Sequence, residues 1–426
     1  MGVTDAQGQP LSTTEDVAEV WRDFRVRLDR FLSGVPEALA AVIEADPDFA
    51  IARATAALQA HLGRLPDRDA DVELAAAVDG HAAYEWERSY VYAVSETIER
   101  GRWPSLDTWR RHHDEFPTDM LAMAHLMPHL EMSADADLIT EAADRIHRTI
   151  RVVGEDPALL GHLAMEAAER LDLDEAERLG QHSLELDPVC IVGAHPIAHV
   201  RYEAGEHAAG VQWLNEWLPT ADQEADYLGH LVWHAALHDL ALGNTEMVLD
   251  RYRRCGAADT PGRLFDGSSL LWRCQLHGLV PNGSDPVSPP IGKLASTLVS
   301  DPPAVAVGYH VALALAAMAD AEALDRLADT AAASEVPGCA QMLPDLAHGL
   351  SAYVQDEPGV AADHLVRAGR YMDRIGGSLA QREVFEDTLI RALIGAGRLK
   401  DAVLRLEQRL DRRPSPSDSA WLAEAT

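Results

Sequence analysis

Four histidines, placed as two couples at one spacing, are the residues of this sequence best suited to chemistry. His195 and His199 stand four apart, and so do His230 and His234. On an α-helix that spacing puts both side chains on one face, with Cβ atoms about 6 Å apart. If the two helices are neighbours in a stack, with axes about 9 to 10 Å apart, the four imidazoles converge on one spot. Neutral imidazole is a favoured ligand of zinc, iron, nickel and copper, so one reading is a divalent transition-metal centre, with zinc or iron as the candidates. Imidazole also titrates near neutral pH, so the same convergence suits a metal-free ligand or acid/base site with His199, His234, His195 and His230 as catalytic candidates. The third reading is a set of satisfied or merely wet histidines, since 19 histidines in one chain give some four-apart pairs by chance.

Other segments offer ligand-binding candidates. Trp233, beside His234, either walls a pocket or fills the seam between repeats. In the segment 264–278, Asp266, Trp272 and Arg273 bracket a helix, and Asp266 also reads as its N-cap. His310 is polar within an apolar helix, as a hydrogen-bonded core residue or as a ligand. Gly376 and Gly377 lead through Ser378 into a helix that opens with Gln381 and Arg382. Such a turn offers backbone N–H groups to an anion, and Arg382 can clamp a carboxylate or phosphate. A capped repeat boundary explains the same residues without a ligand. The chain has no P-loop, no G-x-S-x-G and no H-E-x-x-H.

The elements that must position these residues are helices. Apolar residues recur at three- and four-residue spacing, as in residues 15–32, and no convincing run of alternating β-branched residues is present. Ser12, Thr13 and Thr14, followed by Glu15 and Asp16, read as an N-cap with acids in the opening turn. Residues 157–188 read as helix, turn, helix and exit, with Ala176 at the helix crossing and Leu186-Asp187-Pro188 at the end. Residues 383–414 repeat the design with Gly397 at the turn, Ala402 at the crossing and Pro414 at the exit. Weaker copies cover 85–117, 191–220 and 228–255. This is the tetratricopeptide pattern of about 34 residues per unit, in which stacked helix pairs bury jointly what one pair cannot. The expected fold is therefore all-α: a helical-repeat solenoid of antiparallel helix pairs with a concave inner face. Residues 279–302, rich in Pro, Gly and Ser, read as the connection between an N-terminal array over 11–278 and a C-terminal array over 303–414. Residues 1–10 and 415–426 are expected to fray.

Composition narrows the partners. With 36 Lys+Arg against 69 Asp+Glu the formal net charge is -33, which phosphate backbones and anionic membrane surfaces repel. Neither nucleic acid nor membrane is an expected partner. At 47% hydrophobic and 25% charged the chain is globular rather than disordered. Cys190, Cys255, Cys274 and Cys339 are far apart, without a C-x-x-C pair, and read as buried residues in a reducing compartment. The N-terminus carries no basic region followed by an apolar one, so the expected location is cytoplasmic.

Taken in order, these segments resemble the tetratricopeptide repeat protein 38 family over nearly the whole chain. The blocks are Leu11-Ser12-Thr13-Thr14, Ala45-Asp46-Pro47 with Phe49, and Pro117-Thr118-Asp119-Met120-Leu121-Ala122. They continue through Ala194-His195 with Ala198-His199, His230 with Trp233-His234, Asp266 with Trp272-Arg273, His310, and Gly376-Gly377-Ser378 with Ala380-Gln381-Arg382. The resemblance implies a helical-repeat fold and an enclosed polar site at those residues. The chain departs from the family pattern in three places: Arg53 and Val91 stand where histidines are expected, and Tyr202 where an acid would follow the first His couple. Glu203, one residue on, points about 100° away from Tyr202 around the helix.

The function expected from these readings is a histidine- and arginine-lined pocket that binds and transforms a small, partly anionic molecule by acid/base or metal-assisted hydrolase- or lyase-type chemistry. Arg382 and Arg273 would hold the anion, and Trp233 and Trp272 would supply apolar walls. The alternative is a non-catalytic scaffold for an acidic peptide or partner protein.

Overall fold

The computed structural model describes residues 2–101, 103–131, 136–255, 261–280, 289–300, 302, 304–336 and 338–426. Among these the chain forms 23 α-helices and no extended strand. They are α1 (Glu15–Asp29), α2 (Val35–Ala45), α3 (Ala50–His61), α4 (Ala70–Asp79), α5 (Glu85–Arg100), α6 (Leu106–Glu115), α7 (Met120–Glu131) and α8 (Ala136–Val153). Next come α9 (Pro157–Glu169), α10 (Leu173–Leu186), α11 (Ile191–Glu203), α12 (His207–Trp217), α13 (Leu228–Leu242), α14 (Thr245–Cys255), α15 (Pro261–Leu276) and α16 (Pro289–Leu298). The chain ends with α17 (Val305–Ala317), α18 (Ala321–Ala332), α19 (Cys339–Val354), α20 (Pro358–Ala368), α21 (Leu379–Gly395), α22 (Leu399–Arg412) and α23 (Pro416–Ala425). No helix of the described residues is long and apolar enough to cross a membrane.

The chain divides into two compact units, residues 1–130 with 141–159, and residues 131–140 with 160–426. The division does not fall at 279–302, where the composition suggests a boundary. That stretch contains α16, whose Ile291 and Ala295 are buried in the core of the second unit, and residues 281–288 lie outside the described residues.

In the second unit the helices form tetratricopeptide-like hairpins whose first members, α11, α13, α15, α17 and α19, pack side by side. Small residues permit the close approach. Ala176 and Ala402 are fully buried at their crossings. Gly161 of α9 and Gly193 of α11 have no room for a Cβ: one on Gly161 would lie 2.5 Å from the Val192 carbonyl oxygen, and one on Gly193 2.1 Å from Ser183 Oγ. The turn after α21 is made by Gly397, at φ +70°, where a side chain would be strained.

The inner face of this array is filled by the chain itself. Helix α21 packs on α15, and α23 packs on α13. Trp272 Nε1 donates to Thr388 Oγ1 at 2.9 Å, Arg273 donates to the Ala380 carbonyl at 2.6 Å, and Tyr202 Oη donates to Glu383 Oε1 at 2.9 Å. A layer of ion pairs ties the last helices down: Arg409 to Asp387 (2.6 Å) and Asp418 (2.5 Å), and Arg413 to Glu383 (2.5 Å). The C-terminal residues expected to fray are thus a docked helix. Trp421 is buried and stacks on His277 with ring centroids 4.4 Å apart. The N-terminus is also ordered, through a Thr4–Pro10 bridge and the Asp5 carboxylate, which accepts from Gln7 and Gln9.

Candidate metal centre

Helix α11 carries His195 and His199 on one face, and α13 presents His230 and His234 to them. The four rings meet through their Nε2 atoms. His195 Nε2 lies 3.0 Å from that of His199, 3.0 Å from that of His230 and 3.1 Å from that of His234. One ligand atom from each of the four lies within 4.8 Å of all the others. His199, His230 and His234 are buried, and His195 is half-buried.

Hydrogen bonding cannot account for this arrangement. An imidazole nitrogen carries one proton or one lone pair, so His195 Nε2 can make at most one N–H···N bond among its three close neighbours. The remaining contacts set lone pair against lone pair, or proton against proton. A cation among the four nitrogens removes the conflict. Four imidazoles whose ligand atoms all lie within 4.8 Å of one another form a donor set suited to a divalent transition metal.

Burial and the neighbouring imidazoles keep His195, His199 and His234 neutral. His199 is lowered to about 3 by burial first and then by His230, His238 and Arg382. His195 and His234 are pushed well below the ordinary value by burial and by the other histidines of the cluster. A neutral ring is the form that ligates, so no proton has to leave them before a metal binds. Two outer contacts orient the rings. His230 Nδ1 lies 2.8 Å from Asp266 Oδ1, which fixes the proton on Nδ1 and aims the Nε2 lone pair at the cluster. Tyr227 Oη lies 3.3 Å from His195 Nδ1 and can accept the corresponding proton there.

The other predicted site residues have structural partners. Asp266 is not an N-cap, because α15 begins at Pro261 and places it inside the helix facing His230. Trp233 is fully buried, lies parallel to the His230 ring (5.2 Å, 14°) and donates to Ser269 Oγ, so it backs the cluster. Trp272 is held by Thr388, away from the imidazoles. Arg273, expected to grip an anion, is buried between Ala380, Ser269 and Asp387. Ser378 and Gln381 form a reciprocal capping box at the start of α21 (3.1 and 2.9 Å). His310 is buried against Phe265, with Nδ1 unpartnered. It lines a small cleft together with Tyr309, Gly376, Gly377, Gln381 and Arg382.

At this helix start, read from the sequence as an anion clamp or a capped repeat boundary, the capped boundary is joined by a carboxylate of the chain itself. Both carboxylate oxygens of Glu169 lie 3.0 Å from the Leu379 N–H, and Arg382 donates to Glu169 Oε2 at 3.2 Å. Burial pushes the Glu169 carboxyl up to about 7 against the pull of Arg382. Tyr202 and Glu203 belong to a different network: Glu203, four residues beyond His199, is buried beside Arg413 (3.6 Å) and Arg412 (3.8 Å).

Sequence reading missed Tyr227, Glu169, and the pair His207–His238, whose Nδ1 atoms are 3.2 Å apart. His238 carried a signal, since it stands four residues beyond His234 on the same face.

No family model matches the sequence. Among solved structures, the crystal structure of the yeast Tom70 aligns over 96% of this chain and 86% of its own, at 13% identity and a TM-score of 0.35. A likeness of that size carries no argument, and the helical-repeat assignment rests on the hairpin packing itself.

Proposed function

We propose that this chain is a cytoplasmic metal-dependent enzyme, and a bacterial member of the tetratricopeptide repeat protein 38 family, that transforms a small, partly anionic molecule by hydrolase- or lyase-type chemistry. The carrying observation is the convergence of four imidazoles, with His195 Nε2 3.0–3.1 Å from the other three Nε2 atoms, a donor set that suits a divalent transition metal such as zinc or iron. A divalent ion there would act as a Lewis acid toward a carbonyl or phosphoryl oxygen. The chain's own residues do the rest: Asp266 holds the His230 ring in its ligating tautomer, and Trp233 backs it. The clamp of Arg382 and the α21 amide accepts an anionic group when Glu169 yields it.

The scaffold alternative calls for arginines open to an acidic peptide on the inner face. Arg273, Arg382, Arg409 and Arg413 are instead engaged by the chain's own carboxylates and carbonyls, which supports the enzymatic reading. The test is metal analysis of the purified protein together with His199→Ala and His234→Ala. The expected result is about one transition-metal ion per chain, lost in both variants while they remain folded. A metal-free protein that takes up no iron or zinc on reconstitution sinks the proposal.

A further inference from the structure

The first unit holds a second constellation that uses none of these residues. Ser89 of α5 is half-buried, and its Oγ lies 2.9 Å from His112 Nδ1. His112, on α6, is buried, and its Nε2 lies 2.8 Å from Asp119 Oδ2. Asp119 precedes α7 and is also buried, and its second oxygen accepts the Leu121 N–H at 2.9 Å. From these contacts we propose that Ser89 is a nucleophilic serine, with His112 as its general base and Asp119 as the residue that positions the base, acting on small esters.

The protonation pattern follows from the partners. An ionised carboxylate only accepts, so His112 Nε2 must carry the ring proton and donate it to Asp119. Nδ1 then presents its lone pair to Ser89, and the Ser89 hydroxyl donates. Burial works against an ionised Asp119, but the hydrogen bond from His112 and the nearby Arg25 outweigh it and hold the carboxyl below its ordinary value. The base cannot turn away. Tyr90, Trp109 and Phe116 surround its ring, with centroids 6.0, 6.1 and 5.3 Å distant. A nucleophile, a base within hydrogen-bond reach and a third group orienting the base together make an activated serine. Here the base works through Nδ1. The exposed end of the arrangement is Ser89, and Tyr92, three residues on, is 55% exposed on the same side of α5 and offers an aromatic surface to an aryl or acyl group.

In the reaction, Ser89 Oγ attacks the ester carbonyl carbon while its proton passes to His112 Nδ1. The carbon–oxygen bond to the alcohol breaks, the alcohol leaves with that proton, and the acyl group stays on Ser89. Water then attacks the acyl carbon, gives one proton to His112, and releases the acid as Ser89 regains its hydrogen.

The experiment treats the full-length protein with an alkyl fluorophosphonate, which forms an Oγ–P bond and releases fluoride, followed by peptide mass spectrometry and by assay of p-nitrophenyl acetate hydrolysis. A single adduct on Ser89 is expected, together with hydrolysis that a metal chelator leaves unchanged. Ser89→Ala should abolish both, and His112→Gln should slow both by about 10²-fold or more. Asp119→Asn, which frees the wrong tautomer, should depress the rate across the whole pH profile rather than only shift its midpoint. Chelator insensitivity separates this activity from that of the histidine cluster. No adduct on Ser89 in the folded protein, or equal labelling in folded His112→Gln, overturns the proposal. Should His112→Gln fail to fold, equal labelling and an unchanged pH profile in Asp119→Asn overturns it.

Discussion

Asp266→Asn isolates the orientation of one ligand from the ligands themselves. The Asp266 carboxylate accepts from His230 Nδ1 at 2.8 Å, so the proton stays on that nitrogen and Nε2 keeps its lone pair for the cluster. Asparagine has nearly the same size, but its amide can as easily present N–H, which favours the opposite tautomer and turns the lone pair away. Loss of such an outer-shell partner costs about 10- to 100-fold in metal affinity, or about 1.4 to 2.7 kcal/mol. At free metal equal to 100 times the wild-type Kd, binding stabilises the folded state by about 2.7 kcal/mol. The same metal concentration would stabilise the variant by only about 0.4 to 1.4 kcal/mol by the same relation. Paired thermal melts with iron or zinc buffered by a chelator, and without metal, read this difference directly. Metal-free wild type and variant should melt close together, and their metal-loaded forms should separate. Equal metal-induced shifts in the two proteins would refute the assignment of Asp266, and no shift in either would refute the centre.

Three further predictions follow from packing and ionisation. Gly161→Ala forces a methyl against the Val192 carbonyl at the start of α11. It should cost about 1 to 3 kcal/mol and weaken metal binding, because α11 carries two ligands; unchanged metal affinity in chelator competition contradicts the link. Trp421→Ala should destabilise the second unit by about 3 to 5 kcal/mol in chemical denaturation, whereas a frayed tail would show almost no change. Glu169 is raised to about 7 in the folded chain, so the native state binds its proton more tightly than the unfolded state. Its contribution to stability is therefore full below about 4.5, the ordinary glutamate range, and is lost as pH rises through about 7. Glu169→Gln should flatten stability against pH across that window, as measured by urea titrations at several pH values, and an unaltered pH slope counts against the raised value.

Much of the architecture and the heart of the site were legible because both depend on local spacing. The hairpin rhythm, Gly397 at a left-handed turn, Ala176 and Ala402 at crossings, and the two four-apart histidine couples follow from helical periodicity alone. What escaped depends on contacts remote in sequence. Asp266 looked like a cap because the start of α15 at Pro261 was not evident, and Glu169 meets Leu379 across 210 residues. Arg273 and Arg382 looked free because nothing in their own segments reveals the carboxylates that face them. The ends looked loose because burial of Trp421 against His277 is a tertiary fact. Ser89, His112 and Asp119 went unnoticed for a similar reason, since two helices and a connection bring them together.

The filled inner face also changes how the second unit should melt. An open repeat array contacts only its neighbours, so it can lose hairpins one at a time from either end. Here Tyr202 reaches Glu383 across 181 residues and Trp272 reaches Thr388 across 116. Detaching the last helices uncovers the middle ones, so this unit should come apart in one cooperative step. It should also refold slowly, because distant segments must find each other before the centre can be sealed.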